Sequence, residues 1–372
     1  MTNVPRCNYK NVSTPEWKNL DMAKKNQVKA LDIALKAGVS TSTVDRVLNA
    51  RGRVSNKTIN LVLKAQSALE NDDDATFAFA KAIEVILPAN AGNSTRYLAA
   101  FLELAGKERG VQVHVNWVSK MNPSALSTAL LDTLERSADG VAFQALDHPL
   151  VHEAVNRLHS EGVALTTIVS DLTGNDEIGY VGIDNRAAGR TAALLMGNYC
   201  AGAVAVVWSG QLSRAHEERE SGFRALMRTE FPAITVKDVS GGNDEPKENF
   251  RIIKKLLEDD HEISGIYCVG AGPSAIVDAV SATNKTGQVK VFAHNLTHVT
   301  RAHLLASEID IIIHQDMQEI ANCTIDKFMS EMHTGRQTVA THIITRENVL
   351  YHLDLADAIG RLELGESKPE IY

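Results

Sequence analysis

The chain has 372 residues, of which 44% are hydrophobic, 23% charged and 5% aromatic, with 24 Gly and 9 Pro. That length carries two or three domains with ample core, and the ordinary Gly, Pro and apolar fractions exclude a collagen-like or low-complexity protein. The net charge is −8 overall, but nine Lys or Arg against two Asp between Lys24 and Lys64 make that segment +7 and leave −15 for the rest. A small basic unit joined to a large acidic body suits a nucleic-acid-binding head on a regulatory domain, although a solvated basic helix face gives the same count.

No apolar run approaches the roughly 20 residues that span a bilayer. Residues 1–20 hold Arg6, Lys10, Glu16 and Lys18 where a secretory signal needs an apolar stretch. Cys7, Cys200, Cys268 and Cys323 make no C-x-x-C pair, so neither a disulfide frame nor a structural zinc is expected. A reduced, cytoplasmic setting without a membrane partner follows as the expectation.

In chain order, residues 1–25 are polar and aperiodic and read as an extension. Residues 26–70 form the head: Leu31, Ile33, Ala34 and Leu35 precede Gly38, Val44, Val47 and Leu48 follow it, and Ile59, Val62 and Leu63 return at helical spacing. Gly38 is suited to ending the first helix, Val39 to filling the corner and Ser40 to capping the second helix. With Val44, Val47 and Leu48 facing inward, polar residues are left for the outer face. Such a helix, seated in a major groove, offers Ser40, Thr41, Ser42, Thr43, Arg46 and Asn49 to DNA. Arg46 is suited to a bidentate contact with guanine, and Thr43 and Asn49 to phosphates.

The stretch Ala34–Asn49 follows A-x-x-A-G-V-S-x-x-T-V-x-R-V-L-N, continued by Arg51-Gly-Arg-Val-Ser55. In this it closely resembles the headpiece of the lactose-repressor (LacI-type) family of bacterial transcription factors. Asp45 stands where members of that family usually have Ser, and a carboxylate near phosphates needs a neighbouring partner. Where the family places a hinge that wedges a Leu into the minor groove, residues 71–82 read Asn71-Asp-Asp-Asp74 and then Ala75-Thr-Phe-Ala-Phe-Ala80. Phe77 or Phe79 would have to substitute.

From Ile83 short apolar runs alternate with amphipathic helices. Strands are expected at 83–87, 111–117, 140–143, 164–169, 203–208, 234–239, 265–269, 289–293 and 310–313. Helices are expected at 97–108, 124–135, 150–160, 187–196, 221–229, 248–258, 274–283 and 317–329. Apolar strands separated by helices make parallel sheets covered on both faces, and their number calls for two lobes. This body, residues 83–350, resembles the periplasmic sugar-binding-protein fold that the same family uses as a sensor; residues 351–372 form a tail. The predicted fold is therefore an all-α helix-turn-helix headpiece followed by an α/β two-lobed sensor.

Ligands of such sheets sit beyond the carboxyl ends of the strands, so the residues just after each run are the candidate contacts. Ser170-Asp171 follows the 164–169 run; the resemblance makes Asp171 an acceptor for sugar hydroxyls, and a turn cap is the plain alternative. Arg219-Glu-Ser-Gly-Phe223 resembles the family's R-x-x-G-F motif, whose arginine binds effector, and a guanidinium is a rigid fork of donors for hydroxyl or carboxylate oxygens. His216 precedes it by three residues. Gly182-Ile-Asp-Asn185 resembles an architectural motif, which makes Asp184 no ligand contact. Trp208 is a sugar-ring wall or simply core. Ala293-His-Asn-Leu-Thr297 contributes His294 and Asn295, and the family's strand-end glutamine corresponds to Gln315. Asn90, Asn93 and Asp147 are weaker candidates of the same kind.

The effector set is thus Asp171, His216, Arg219, His294, Asn295 and Gln315, whose many donors suit a sugar-like, polyol or sugar-acid molecule. Gly270-Ala-Gly-Pro-Ser274 fits a dinucleotide fingerprint only superficially, because no acid follows about 20 residues on. No nucleophile elbow, zinc-protease motif or P-loop is present, and no catalytic residue, metal or cofactor is expected. The resemblance implies a homodimer that reads a pseudo-palindromic operator and responds to a small-molecule effector. A sugar-binding protein without a DNA role and, further off, a nicotinamide-dependent enzyme stand as the competing readings.

Overall fold

The computed structural model describes residues 30–37, 39–49, 51, 54, 58–59, 61–63, 65–66, 81–136, 138–208, 213–239, 246–270, 272–330 and 333–352. Gly38, the extension 1–25, residues 71–80 of the linker and nearly all of the tail lie outside them. Two compact units are present, residues 1–75 and 76–372.

In the first unit α1 (Ala30–Ala37) and α2 (Thr41–Leu48) form the hairpin expected from the sequence. Ser40 caps α2 by accepting the Thr43 N–H at 3.2 Å, which satisfies one of the donors that a helix start leaves open. Ile33, Ala34 and Val44 are buried together with Val62 and Ala65 from the following helical segment. Val47 packs against them only in part, and Leu48, expected in the buried stripe, is exposed. It ends the helix, past the last turn that the small core covers.

The second unit holds two six-stranded sheets. The first has the order β2-β1-β3-β4-β5-β11 and is parallel throughout. It comprises β1 (Lys81–Ala89), β2 (Val111–Ser119), β3 (Gly140–Phe143), β4 (Ala164–Ile168), β5 (Gly179–Gly182) and β11 (Gly335–Thr338). The second has the order β7-β6-β8-β9-β10-β12 and is parallel except for β12, which runs against β10. Its strands are β6 (Ala203–Val207), β7 (Thr235–Val239), β8 (Ile263–Cys268), β9 (Lys290–His294), β10 (Ile311–Gln315) and β12 (Thr341–Ile344).

Helices α3 (Asn93–Glu108), α4 (Pro123–Asp132), α5 (Pro149–Ser160) and α11 (Met317–Met329) cover the first sheet. The second is covered by α6 (Asn185–Tyr199), α7 (Arg214–Glu230), α8 (Pro246–Asp259), α9 (Pro273–Ala282) and α10 (His298–Leu305). Their starts follow from local chemistry. Pro123 and Pro149 occupy first-turn positions where a missing N–H costs nothing, and Asp184, Thr297 and Asp316 cap α6, α10 and α11 with their side chains. Asp184 is architectural, as its motif implied.

The chain passes between the lobes three times, after β5, after β10 and between β11 and β12. Those crossings place the carboxyl ends of both sheets around one cleft. Among the described residues, no helix is long and apolar enough to cross a membrane.

Candidate functional site

The cleft encloses a cavity of about 110 Å³. One ordered water needs roughly 10–15 Å³, so the space is that of several waters or a small ligand. The first lobe lines it with Ser94 and Thr95 at the start of α3, Ser119 at the end of β2 and Lys120 just after it, and Gln144 after β3. The second lobe supplies Ser213, His216, Arg219, Gly270 and Asn295, and Gln315 stands at a crossing. Four of the six effector candidates, His216, Arg219, Asn295 and Gln315, therefore meet in one cavity.

Arg219 projects from α7 and is only 2% exposed. Its Nε donates to Asn185 Oδ1 at 2.8 Å and its Nη1 to the Val269 carbonyl at 2.9 Å. Burial pulls its pKa below the ordinary arginine value. Close approach of α6 and α7 places it there: a Cβ on Gly189 would lie 1.9 Å from the Arg219 carbonyl oxygen, and one on Gly222 would lie 2.2 Å from that of Arg186. The glycine of the R-x-x-G-F motif is thus a helix-crossing residue. Gly270 has a comparable role, because a Cβ there would fall 2.2 Å from His216 Nε2; the glycine makes room for a ring, and no phosphate cradle is needed to explain it.

Both strand ends at the cavity share an unusual turn. Val169 follows β4 with φ 66°, and Asn295 follows β9 with φ 66°. Asn tolerates the left-handed region, whereas a β-branched Val there is strained. Three contacts hold Val169: its N–H donates to the Val181 carbonyl at 3.0 Å, and its own carbonyl accepts from Asn185 Nδ2 at 3.3 Å and from the Tyr180 hydroxyl at 3.4 Å. Asn185 thereby joins the strained turn of one lobe to Arg219 of the other.

Asn295 Nδ2 donates to Ser94 Oγ across the cleft at 3.4 Å, and Gln315 Nε2 donates to Asn295 Oδ1 at 3.0 Å. Gln315 is fully buried and its Oε1 has no hydrogen-bond partner among the described residues. The lobes also meet where Tyr97 Oη and His298 Nδ1 lie 2.9 Å apart.

Asp171 and His294 stand outside the lining. Asp171 is buried and accepts from Thr167 Oγ1 at 2.7 Å, from the Leu172 N–H at 2.8 Å and from Arg336, whose guanidinium also lies 4.2 Å over the Tyr180 ring. Its oxygens are committed to holding the end of β4 and β11, the turn-cap alternative in extended form. His294 lies behind Arg219, where its Nε2 is 2.7 Å from Tyr267 Oη and Tyr267 stacks on Phe223 with centroids 4.8 Å apart. Burial, reinforced by Arg219 and His216, holds His294 well below the usual histidine pKa. His298, four residues on, begins α10 while His294 ends β9, so the two share no helix face.

Trp208 packs on the core and does not line the cavity, and neither Asn90 nor Asn93 lines it. Asp147 pairs with His152 at 2.6 Å. Sequence reasoning missed Ser94, Thr95, Ser119, Lys120, Gln144 and Ser213. Gln144 follows the predicted 140–143 strand directly and Ser119 ends β2 with Lys120 next to it, so the strand-end rule would have found them; the others lie on a loop or a helix start with no motif.

His294 and His314 give the second unit a pH dependence. Burial lowers His314 to about 4, with His342 and His352 adding to the effect and Asp316 opposing it. Both groups must stay neutral in the fold, whereas the unfolded chain takes up protons near 6.5. The unfolded state then binds more protons as pH falls, so their stabilisation is complete above 6.5 and is lost progressively toward 4. Thermal unfolding at pH 7.5 and pH 5 should show a fall of several degrees, on the order of 2 kcal/mol. A His314→Gln variant should lose less over the same interval; an equal loss would remove His314 from this account.

On the outer face of α2, Ser42, Arg46 and Asn49 are exposed and Thr41 and Thr43 are half-buried. Arg46 folds back on its helix, with Nε 3.2 Å from the Ser42 carbonyl and Nη2 3.3 Å from Ser42 Oγ. Asp45 accepts from Asn49 Nδ2 at 2.7 Å, which gives the unusual carboxylate a neutral donor in place of a Lys or Arg.

Comparison with known families bears on both units. Residues 83–331 match the periplasmic binding protein domain, and residues 30–70 match bacterial regulatory proteins of the lacI family. No curated protein sequence matches the chain. Among solved structures, the sugar-binding protein of a sugar ABC transporter from Bacillus halodurans is similar with a TM-score of 0.65 at 20% identity, covering 73% of this chain and 100% of its own. A solute-binding protein from Burkholderia graminis in complex with D-arabinose scores 0.69 at 20% identity, covering 73% and 97%. One from Agrobacterium vitis bound with alpha-D-tagatopyranose scores 0.65 at 17% identity, covering 72% and 96%. At such identities the likeness is one of fold.

Proposed function

The chain belongs to the periplasmic binding protein domain family and carries a lacI-family regulatory head, and from that premise we propose that it is a sequence-specific transcriptional repressor controlled by a small sugar-like, polyol or sugar-acid effector. One observation carries the reading. A helix with an exposed polar face and an exposed arginine occupies the lacI-type head of the same chain whose body closes two lobes around a polar cavity.

In this reading two heads of a homodimer, acting in the cytoplasm, place α2 in successive major grooves of a pseudo-palindromic operator. Effector sits between the lobes, against Arg219, His216, Asn295 and Gln315 of the second and facing Ser94, Lys120 and Gln144 of the first, and favours one lobe arrangement. It regulates only to the extent that it binds the DNA-competent and incompetent arrangements with different affinity. The three crossings are where the chain must bend as the lobes move. No group in the cavity is assigned a catalytic role.

The direct test is selection of DNA sites from a random duplex library by the full-length chain, followed by mobility-shift titration at several salt concentrations. Expected are two-fold symmetric half-sites and affinity that falls steeply with salt, since basic side chains displace counterions from phosphates. A library recovered without enrichment would overturn the DNA-reading role and leave a small-molecule-binding protein.

A further inference from the structure

Arg219 is a buried cation to which the described protein offers only neutral acceptors, the Asn185 amide oxygen and the Val269 carbonyl. It takes part in none of the ion pairs among the described residues. Its helix neighbour Glu218 is engaged by Arg214 at 2.8 Å. A buried charge without a counter-ion is costly, because neutral dipoles replace only part of the lost hydration. Here that charge borders a cavity.

The rest of the lining has the same bias. Lys120 stands on the opposite lobe and His216 beside Arg219, and no Asp or Glu is among the described lining residues. The buried carboxylates outside it are already paired, Asp171 with Arg336 and Glu84 with Arg136. Among the described residues no aromatic ring apart from His216 lines the cavity either, so they offer a sugar ring no phenyl or indole face to stack on. Meanwhile the buried Gln315 Oε1, at the cavity's edge and lacking a hydrogen-bond partner among the described residues, is an acceptor waiting for a donor such as a hydroxyl.

We infer that the effector is a polyhydroxy carboxylate, its carboxylate held by Arg219 with Lys120 closing from the other lobe, and a hydroxyl donating to Gln315. This rests on the reading of the cavity as an effector site and narrows it to the sugar-acid class. A single carboxylate balances the buried guanidinium and matches its fork geometry. Neutral sugars would leave that cation unbalanced.

Calorimetric titration of the full-length chain with matched probes tests the assignment: glucose, gluconate, glucuronate and glucose 6-phosphate, and the corresponding galactose series. A carboxylate should bind at least about 10-fold more tightly than its neutral parent and its phosphate ester. Lys120→Gln and Arg219→Gln should each weaken it by about 30-fold, in the range for truncating one side of a close charge pair. Lys120 lies in a half-exposed loop, so its variant tests the charge even if Arg219→Gln disturbs folding. A neutral sugar binding as tightly as its acid, or preference for the phosphate ester, would overturn the carboxylate assignment and leave the sugar-sensor reading standing. Absence of binding by every probe would end both, while mobility shifts on the same preparation report separately on DNA reading.

Discussion

Arg46→Ala is expected to lower affinity for the selected operator by roughly 10- to 100-fold and to relax preference at one base pair in each half-site, as loss of a bidentate guanine contact worth about 1–3 kcal/mol does. The local structure supports a specific effect. Val44 anchors α2 in the small core, whereas Arg46 is exposed and, among the described residues, held by its own helix through Ser42. Those exposed contacts exchange readily for a base edge. The head should fold unchanged, because no core residue is touched. Mobility shifts with operator variants at the proposed guanine measure the outcome. If the variant discriminates between them as well as the parent chain, Arg46 serves only phosphates or nothing at all.

The second large effect concerns stability. Gly189→Val puts a Cβ where the Arg219 carbonyl oxygen lies only 1.9 Å away, and the obstacle is backbone that cannot rotate aside. Overpacking of side chains costs about 1–3 kcal/mol; separating two helices costs more, and at least about 3 kcal/mol is expected here, lowering Tm by roughly 6 °C or more. Because the clash falls on the peptide of Arg219 itself, effector binding should be lost with it. Ser221→Val, on the exposed side of the same contact, should stay within about 0.5 kcal/mol. Thermal unfolding of both variants, with and without effector, separates steric clash from simple loss of helix propensity.

Much of the architecture was legible because burial on two faces writes itself into the sequence. The nine predicted strands are all present within a few residues; the central ones are continuous apolar runs, and the edge strands Val111–Ser119 and Thr235–Val239 interleave apolar with polar residues. Three others were missed for physical reasons. Gly179-Tyr-Val-Gly182 is short and half glycine, since Lys327 and the Thr166 hydroxyl press on Gly179. Gly335-Arg-Gln-Thr338 is an exposed edge strand with no apolar face to betray it. Thr341-His-Ile-Ile344 resembles any short mixed segment, and only its antiparallel partner β10 defines it.

The cavity was legible in the second lobe, where motif spacing led to His216, Arg219, Asn295 and Gln315. In the first lobe it was legible only in part, where the strand-end rule reaches Ser119, Lys120 and Gln144. Ser94 acquires a role only because a distant sequence folds opposite it, and no pattern within its own neighbourhood records that. Asp171 illustrates the converse: a motif position is right about location at a strand end but silent about Arg336, 165 residues away, which claims its carboxylate.

The interleaved path of the chain has a consequence for its biogenesis. Each sheet takes its last edge strand from residues 335–344, so neither lobe holds its full complement of strands while synthesis is still short of that point. An emerging chain must keep two open sheet edges apart from neighbouring chains until the same ten-residue stretch supplies both. Ribosome-bound intermediates stalled before Gly335 should consequently recruit chaperones, and release from them should occur for both lobes together.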